Sequence, residues 1–421
     1  MIKKFIAGLC ILISGAAMSQ ENNSSPYSYY GIGDTKFKGT VETRSMSGLS
    51  IQPDSIHVNL QNPASYSHLK FTTFTIGGTN SITNFKTDNS SDKASRVSLD
   101  YIAVAIPLNN LGFAFGLMPY TAVGYKIQNE VSGDDALTRR RQFEGTGGLN
   151  RVFGGASYRI TPKFSVGADF QYNFGNVETK SIVAIPASEI QYPVREINKS
   201  DYNGVSFNIG AVYQAKLNEK LEWFTSATFT PQSTLRSSIE RQTSTITLVG
   251  TRETVIDVVD SGRSDERLKM PAKVTFGSGI GLARKWFAGA EYTYIESNEL
   301  GNRFDAITTA GFEASHKMTL GGYYIPNYSS FSSYLSRVTY RAGLKFEKTG
   351  LVINNESIND YGFSLGLGLP LGGNIGGSNM NLGMELGRRG TTKANLIQEN
   401  YINVFVSLSL SDKWFIKRKY D

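Results

Sequence analysis

Tyr401-Ile-Asn-Val-Phe-Val-Ser-Leu-Ser-Leu410, running on through Ser411 into Asp412-Lys-Trp-Phe-Ile-Lys-Arg-Lys-Tyr-Asp421, decides the fold class of this chain. Successive side chains of an extended strand point to opposite faces. Tyr401, Asn403, Phe405, Ser407 and Ser409 therefore share one face, and Ile402, Val404, Val406, Leu408 and Leu410 the other. The second face is wholly apolar and the first mostly polar, and the aromatic pair Trp414-Phe415 follows. A strand with lipid on one side, a polar interior on the other and an aromatic end at the interface is how a transmembrane β-barrel closes.

Working backwards, the same alternation recurs. Tyr101-Ile-Ala-Val-Ala-Ile106, Leu111-Gly-Phe-Ala-Phe-Gly-Leu117 and Phe164-Ser-Val-Gly-Ala-Asp-Phe-Gln-Tyr172 are clear cases. In the last, Ser165, Asp169 and Gln171 lie opposite Phe164, Val166, Ala168 and Phe170. Fourteen strands of about ten residues, the length a tilted membrane strand requires, are expected near 70–80, 96–107, 111–123, 147–160, 163–176, 202–216, 220–230, 270–282, 286–296, 317–326, 337–348, 360–370, 379–389 and 400–411. Tight turns (107–110, 161–162, 217–219, 283–285) alternate with long polar stretches (81–94, 124–146, 177–201, 232–269, 297–316). Short periplasmic turns and long outer loops produce that rhythm. An even count also returns the basic tail to the side where the chain enters. Residues 325–336 read as a longer turn and 349–359 as a moderate outer loop. Residues 242–259 alternate around Gly250 and predict a two-stranded ribbon above the membrane, while 306–312 are apolar enough to add a strand piece.

The amino terminus suggests the compartment. Met1-Ile-Lys-Lys4, an apolar run from Phe5 to Ala17 and the small-x-small site Ala17-Met18-Ser19 read as a secretory signal peptide over 1–19. Cys10, the one cysteine, sits inside that run behind Leu9, which a lipid-anchor signal does not favour there. The exported chain is then expected to lack thiol chemistry, disulfides and cysteine metal sites. No stretch approaches the roughly 18 consecutive apolar residues of a membrane helix. A balance of 43 Lys+Arg against 36 Asp+Glu is mildly basic and makes no case for nucleic acid; lipid phosphates are the expected partners. Residues 20–69 are irregular and Gly/Ser-broken, and a stretch of that length with its own aromatics is expected to fold as a plug inside the lumen. The organisation expected is signal peptide 1–19, hatch 20–69, barrel 70–411 and basic periplasmic tail 412–421.

Signal peptide, an N-terminal segment ending in Asn62-Pro63-Ala64, and fourteen strands together resemble the FadL/TodX family of outer-membrane transport proteins. The tail, with Arg388-Arg-Gly-Thr-Thr-Lys393, Gln398-Glu-Asn-Tyr401 and Trp414 to Asp421, is similar to the Bacteroidetes branch of that family. The resemblance implies an outer-membrane barrel closed by a hatch, passing hydrophobic small molecules, with Asn62, Pro63 and Ala64 as the hatch motif. One departure matters: the long outer stretches are polar and strand-like, where the family's transporters carry apolar, partly helical segments. The same branch also supplies barrel subunits of type IX secretion and other outer-membrane assemblies, whose partners are other outer-membrane proteins or lipoproteins. Both readings stand at this point.

The residues give no case for an enzyme or a cofactor. His57, His68 and His316 are isolated, without the spacing of a metal site. A Ser–His–acid arrangement needs a strand-borne His beside a Ser, for which His316 is the sequence candidate, and an interfacial polar role suits it better. Asp134-Asp135 and the acids Asp257, Asp260, Asp265 and Glu266 lack calcium-loop spacing and read as solvated loop charge. Gly31-Ile-Gly33 lacks the strand and helix of a dinucleotide fingerprint. The pairs Tyr323-Tyr324, Trp223-Phe224, Trp286-Phe287 and Trp414-Phe415, with Tyr292/Tyr294 and Tyr172/Phe174, fall near strand ends and are expected in interfacial girdles.

Overall fold

The computed structural model describes residues 23–132, 138–185, 192–249, 252–300, 310–371 and 377–413. The expected signal peptide, Asp134-Asp135 and the tail from Trp414 and Phe415 onward lie outside them. No helix among the described residues is long and apolar enough to cross a membrane.

Strand β1 (Asp34–Thr35) belongs to the N-terminal segment and pairs with β4 at Thr121 and Ala122. The rest are β2 (Thr72–Lys86), β3 (Ser91–Leu108), β4 (Leu111–Ser132), β5 (Thr138–Thr161), β6 (Phe164–Ala184), β7 (Val194–Lys216), β8 (Leu221–Thr230), β9 (Ser233–Val249), β10 (Arg252–Met270), β11 (Lys273–Leu282), β12 (Trp286–Ile295), β13 (Ala310–Phe312), β14 (Ser315–Tyr324), β15 (Thr339–Ile353), β16 (Glu356–Pro370), β17 (Asn379–Arg389) and β18 (Gln398–Asp412). Three pairs of these are single staves with a break. β8 lies on β7 at Ile209–Lys216 and β9 on the same strand at Val194–Gly204. β10 lies on β9 while β11 continues down β8. β13 and β14 both lie on β15. Pro231 and Pro271 sit at the first two breaks, because proline has no N–H to give the ladder. Merging the pairs leaves fourteen antiparallel staves, and β18 closes on β2 from Gln398↔Lys86 to Asp412↔Thr72.

The alternation of faces is the one the sequence predicts. On β18, Ile402, Val404 and Val406 are exposed on the outside, while Phe405 is fully buried on the inside. On β5 the outward apolar band runs from Val152 to Ile160, and above Asn150 the outward residues are polar.

The outer loops differ from the expectation. Most of 81–94, 124–146, 177–201 and 232–269 is strand, so β4 to β7 are 21 to 24 residues long and stand well above the apolar band. Above the membrane these polar strands still pair their backbone groups with neighbouring strands. The expected ribbon at 242–259 is the end of a longer hairpin, β9–β10. Residues 349–359 form no loop of moderate length: Asn354 and Asn355, at φ 51° and 62°, make a two-residue hairpin turn, a conformation asparagine tolerates. Among the described residues, one member of an adjacent aromatic pair faces outward and the other inward. Tyr324 and Trp223 face outward, whereas Phe224, Phe287 and Tyr323 point inward onto Leu49 and Ile51, as neighbours in a strand must.

Candidate functional site

The lumen holds residues 23–71, and its polar chemistry is the candidate site. Asn62 caps a 3-10 turn, Pro63–His68: its Oδ1 accepts from the Ala64 N–H at 3.0 Å, and Pro63 fits the first helical position, where no N–H is needed. The motif sits against glycines on β4, β6 and β7. A Cβ at Gly210 would lie 2.0 Å from Asn62 Oδ1, one at Gly167 2.7 Å from the Ala64 nitrogen, and one at Gly112 2.3 Å from the Tyr66 carbonyl carbon. These three positions admit backbone where any side chain would exclude it.

Around that seat the wall donates and accepts. Asn62 Nδ2 donates to the Ala211 carbonyl at 3.2 Å. Tyr66 Oη donates to Asp169 at 3.0 Å, and Asn208 Nδ2 donates to the Gln61 carbonyl at 3.1 Å. Arg159 donates to the Ser67 carbonyl. Further along, Ser50 donates to Glu291 from its N–H and its hydroxyl, at 3.1 and 2.9 Å. Glu42 accepts from Asn381 at 2.7 Å and from Ser409 at 3.1 Å. His57 lies 2.6 Å from Asp54; burial disfavours charge on both, yet the pairing wins, raising His57 and holding Asp54 at about 2. Apolar contacts complete the fit: Val41, Val58, Leu60 and Tyr66 form one cluster with wall residues Tyr101, Ala103 and Phe405.

Short helix α1 (Val41–Arg44) ends in the centre of an ionic network. Arg44 pairs with Glu385 at 3.2 Å and with Asp100 at 3.5 Å, and its guanidinium lies 5.0 Å above the Phe405 ring. Lys345 pairs with Asp360 at 2.8 Å and with Glu385 at 3.3 Å. Tyr401 donates to Asp360 at 2.7 Å and accepts from Lys345 at 3.1 Å. Arg389 pairs with Asp34 at 2.9 Å. A cavity of about 220 Å3 lies among these groups, walled by Lys36, Arg44, Arg96, Lys317, Asp100 and Glu385 among others. It is a polar space.

The apolar space lies elsewhere. A groove of about 1080 Å3 runs over the outer surface, where Ala288, Gly322 and Ala342 stand side by side across β12, β14 and β15 beneath Leu320, Leu344, Tyr324 and Tyr340. Its lining includes Val404, which is exposed on the lipid-facing side of β18, so the groove opens towards the membrane and not into the polar lumen.

The structure thus seats Asn62, Pro63 and Ala64 on β4–β7, puts Tyr401 and Phe405 together at the ionic network, and leaves Trp414 and Phe415 outside the described residues. The histidines do not meet one another, and among the described residues no group of three His, Cys, Asp or Glu forms a metal cluster. His316 faces outward against Tyr292 at 2.7 Å. The histidine beside a strand serine is His68, 3.0 Å from Ser165, which the strand-borne requirement overlooked. Burial and then Arg159 push His68 down to about 4, and no carboxylate bonds to it among the described residues. Arg44, Tyr66, Asp169 and Glu385 were missed altogether. The available signal was the polar inward face: Asp169 and Gln171 interrupt an otherwise hydrophobic strand, and a charge on a barrel wall needs a luminal partner.

A family model described as BamG matches residues 1–421, the whole chain. The chain belongs to the BamG family. A search of curated proteins finds no match. Among solved structures, the BamG-family chain is similar to the CymD monoaromatic hydrocarbon channel at 12% identity and TM-score 0.59, covering 90% of this chain and 99% of that one. The P. putida toluene transporter TodX matches at 15% identity and TM-score 0.59, over 90% and 100%. A Pseudomonas aeruginosa FadL homologue matches at 12% and 0.58, over 91% and 100%. At such identities the likeness carries the fold: this BamG-family chain is a transmembrane β-barrel with the architecture of the FadL-type outer-membrane channels.

Proposed function

We propose that this chain is an outer-membrane barrel that does not transport, a plugged subunit of a larger assembly whose partners are other outer-membrane proteins or lipoproteins. The observation that supports this is the filling of the lumen. Residues 23–71 are tied to the wall by buried hydrogen bonds and ion pairs, and the luminal cavity is small and lined with charge. A hydrophobic molecule entering it would strip water from Arg44, Lys345 and Glu385 without replacing their partners, which is costly. Apolar passage through this lumen requires dismantling the network first. An exported route, with residues 1–19 removed as a signal peptide, belongs to the same reading.

The second reading is hatch-gated passage of hydrophobic small molecules. The fold shared with proteins titled a monoaromatic hydrocarbon channel and a toluene transporter favours it. One experiment separates the two: gentle detergent extraction from native outer membranes, then intact-mass analysis of what travels with the chain. Stoichiometric protein partners and no apolar ligand are the expected result. A lone barrel, starting at Gln20 and carrying an apolar small molecule, overturns the assembly reading and establishes the transporter.

A further inference from the structure

The hairpin β9–β10 leaves one sheet edge unpaired among the described residues, and the edge is unusual. β10 pairs with β9 along its length from Arg252↔Val249 to Met270↔Ser233, and with no other strand among the described residues. Residues 254–267 are all exposed. The hairpin stands above the apolar band: β9 lies on the part of β7 from Val194 to Gly204, whereas the continuous outward apolar run of β7 is Val205, Phe207 and Ile209. Yet Val255, Ile256, Val258 and Val259 are 43, 49, 45 and 63% exposed.

Proteins ordinarily blunt such an edge with lysine, proline or bulges. Between Thr254 and Gly262 there is neither lysine nor proline. Two bulges are present, and the residues they insert, Ile256 and Val259, have no partner on β9. A bulge built only to repel would carry a charge at that position; these carry aliphatic side chains. The charges lie beside them. Asp257 and Asp260 have no ion-pair partner among the described residues, whereas Glu253, nearer the hairpin's inner face, is held by Lys180 at 2.8 Å and Arg195 at 3.1 Å.

We propose that the outer half of β10 is a docking edge that takes an extended strand of a partner protein, aliphatic in composition and carrying Lys or Arg opposite Asp257 and Asp260. Main-chain pairing supplies the affinity in such strand addition, and the alternating side chains supply the choice of partner. A second copy of this chain is the wrong occupant: antiparallel pairing of β10 with itself, centred on Val258 and Val259, sets Asp257 against Asp260 of the other copy, and like charges directly opposite are destabilising. This inference rests on the assembly reading and names the kind of partner that reading requires.

The test uses the full chain in its native membrane. Hydrogen exchange of 254–262 is compared between the extracted assembly and the purified barrel, with a photo-crosslinking residue at position 256 or 259 to report the contacting peptide. Docking predicts exchange slowed about tenfold or more in the assembly, as for newly paired strand amides. It also predicts a crosslinked peptide with Lys or Arg among aliphatic residues. Asp257→Lys with Asp260→Lys should abolish both effects while the barrel keeps its heat-modifiable migration; Ile256→Ser with Val259→Ser, a milder change, should weaken them. Intact assemblies with fast exchange at 254–262 overturn the docking edge and leave the assembly reading standing. A wild-type chain that migrates alone overturns the assembly reading, and the docking edge with it.

Discussion

The wall formed by β4 to β7 and the hairpin β9–β10 are the same kind of structure, antiparallel strands with alternating faces, used in opposite ways. On the wall, inward polar groups bond to the N-terminal segment: Asp169 accepts from Tyr66, and Asn208 donates to the Gln61 carbonyl. On the hairpin, Asp257 and Asp260 have no ion-pair partner among the described residues, and four aliphatic side chains meet water. Burial explains the difference. A polar group inside the barrel loses its water and must be repaid by a protein partner, while an exposed strand edge loses nothing by waiting. The interior is therefore committed and the exterior is available.

Mutations should separate the two sharply. Glu385→Ala has the largest expected effect, because it leaves Arg44 and Lys345 facing each other in the lumen without a shared carboxylate. Breaking a buried ion pair from one side costs about 3–5 kcal/mol, so equilibrium unfolding of the refolded barrel in urea should show a loss of that order. A loss under about 1 kcal/mol, the range of a surface pair, would mean the luminal network is water-filled and the contrast with the hairpin false. Gly112→Val comes next. Its Cβ would meet the Tyr66 carbonyl carbon, and overpacking of that kind costs roughly 1–3 kcal/mol. The expected readout is tryptic cleavage at Lys36, Lys38, Arg44 or Lys70 in a barrel that still migrates as folded; protection equal to the wild type would show that the segment is not seated there.

How much of this was legible follows the same division. The fourteen staves were readable because lipid on one side and polar lumen on the other impose a strict two-residue period, as Ile402 to Leu410 show. The outer extensions were less so, because parts of them meet water on both faces and the period disappears there: on β10, residues 254–267 are exposed on either side. Asn62-Pro63-Ala64 could be picked out as a turn, but not its seat, since Gly112, Gly167 and Gly210 lie far from it and from one another in sequence. Arg44 and Glu385 are 341 residues apart. Their pairing depends on register around the whole barrel, which no local pattern carries. Adjacent aromatics misled for a simpler reason: two neighbours in one strand cannot both reach the same interface.

Acid should loosen the outer sheet. Burial alone would raise the Glu144 carboxyl, but Lys180 and Lys126 bond to it and hold it at about 2, against an ordinary 4.5. A lowered carboxyl contributes stability that is complete above the ordinary value and lost as pH falls towards the folded one. Glu253 is lowered through Lys180 and Arg195 in the same way, against burial. Hydrogen exchange in residues 138–147 should therefore stay flat from neutral pH to about 5, after correction for the intrinsic rate, and rise between 4.5 and 2. Flat behaviour through that window would show that these bridges are screened like ordinary surface pairs.

The smallest expected effect is the most discriminating. Ile256→Ser with Val259→Ser changes two exposed side chains at bulge positions with no paired residue on β9, so the purified barrel should keep its stability within about 0.5 kcal/mol, as exposed substitutions do. A larger loss would show that the bulges lock the hairpin and that their side chains serve the fold, which would place β10 with the committed interior. If stability is unchanged, the residues have no structural task in the isolated chain. Four exposed aliphatic residues beside two acids without an ion-pair partner among the described residues, on an edge that pairs with no second described strand, then remain as surface kept for something outside the molecule. A silent stability change together with a lost partner is the result that the contrast between wall and hairpin requires.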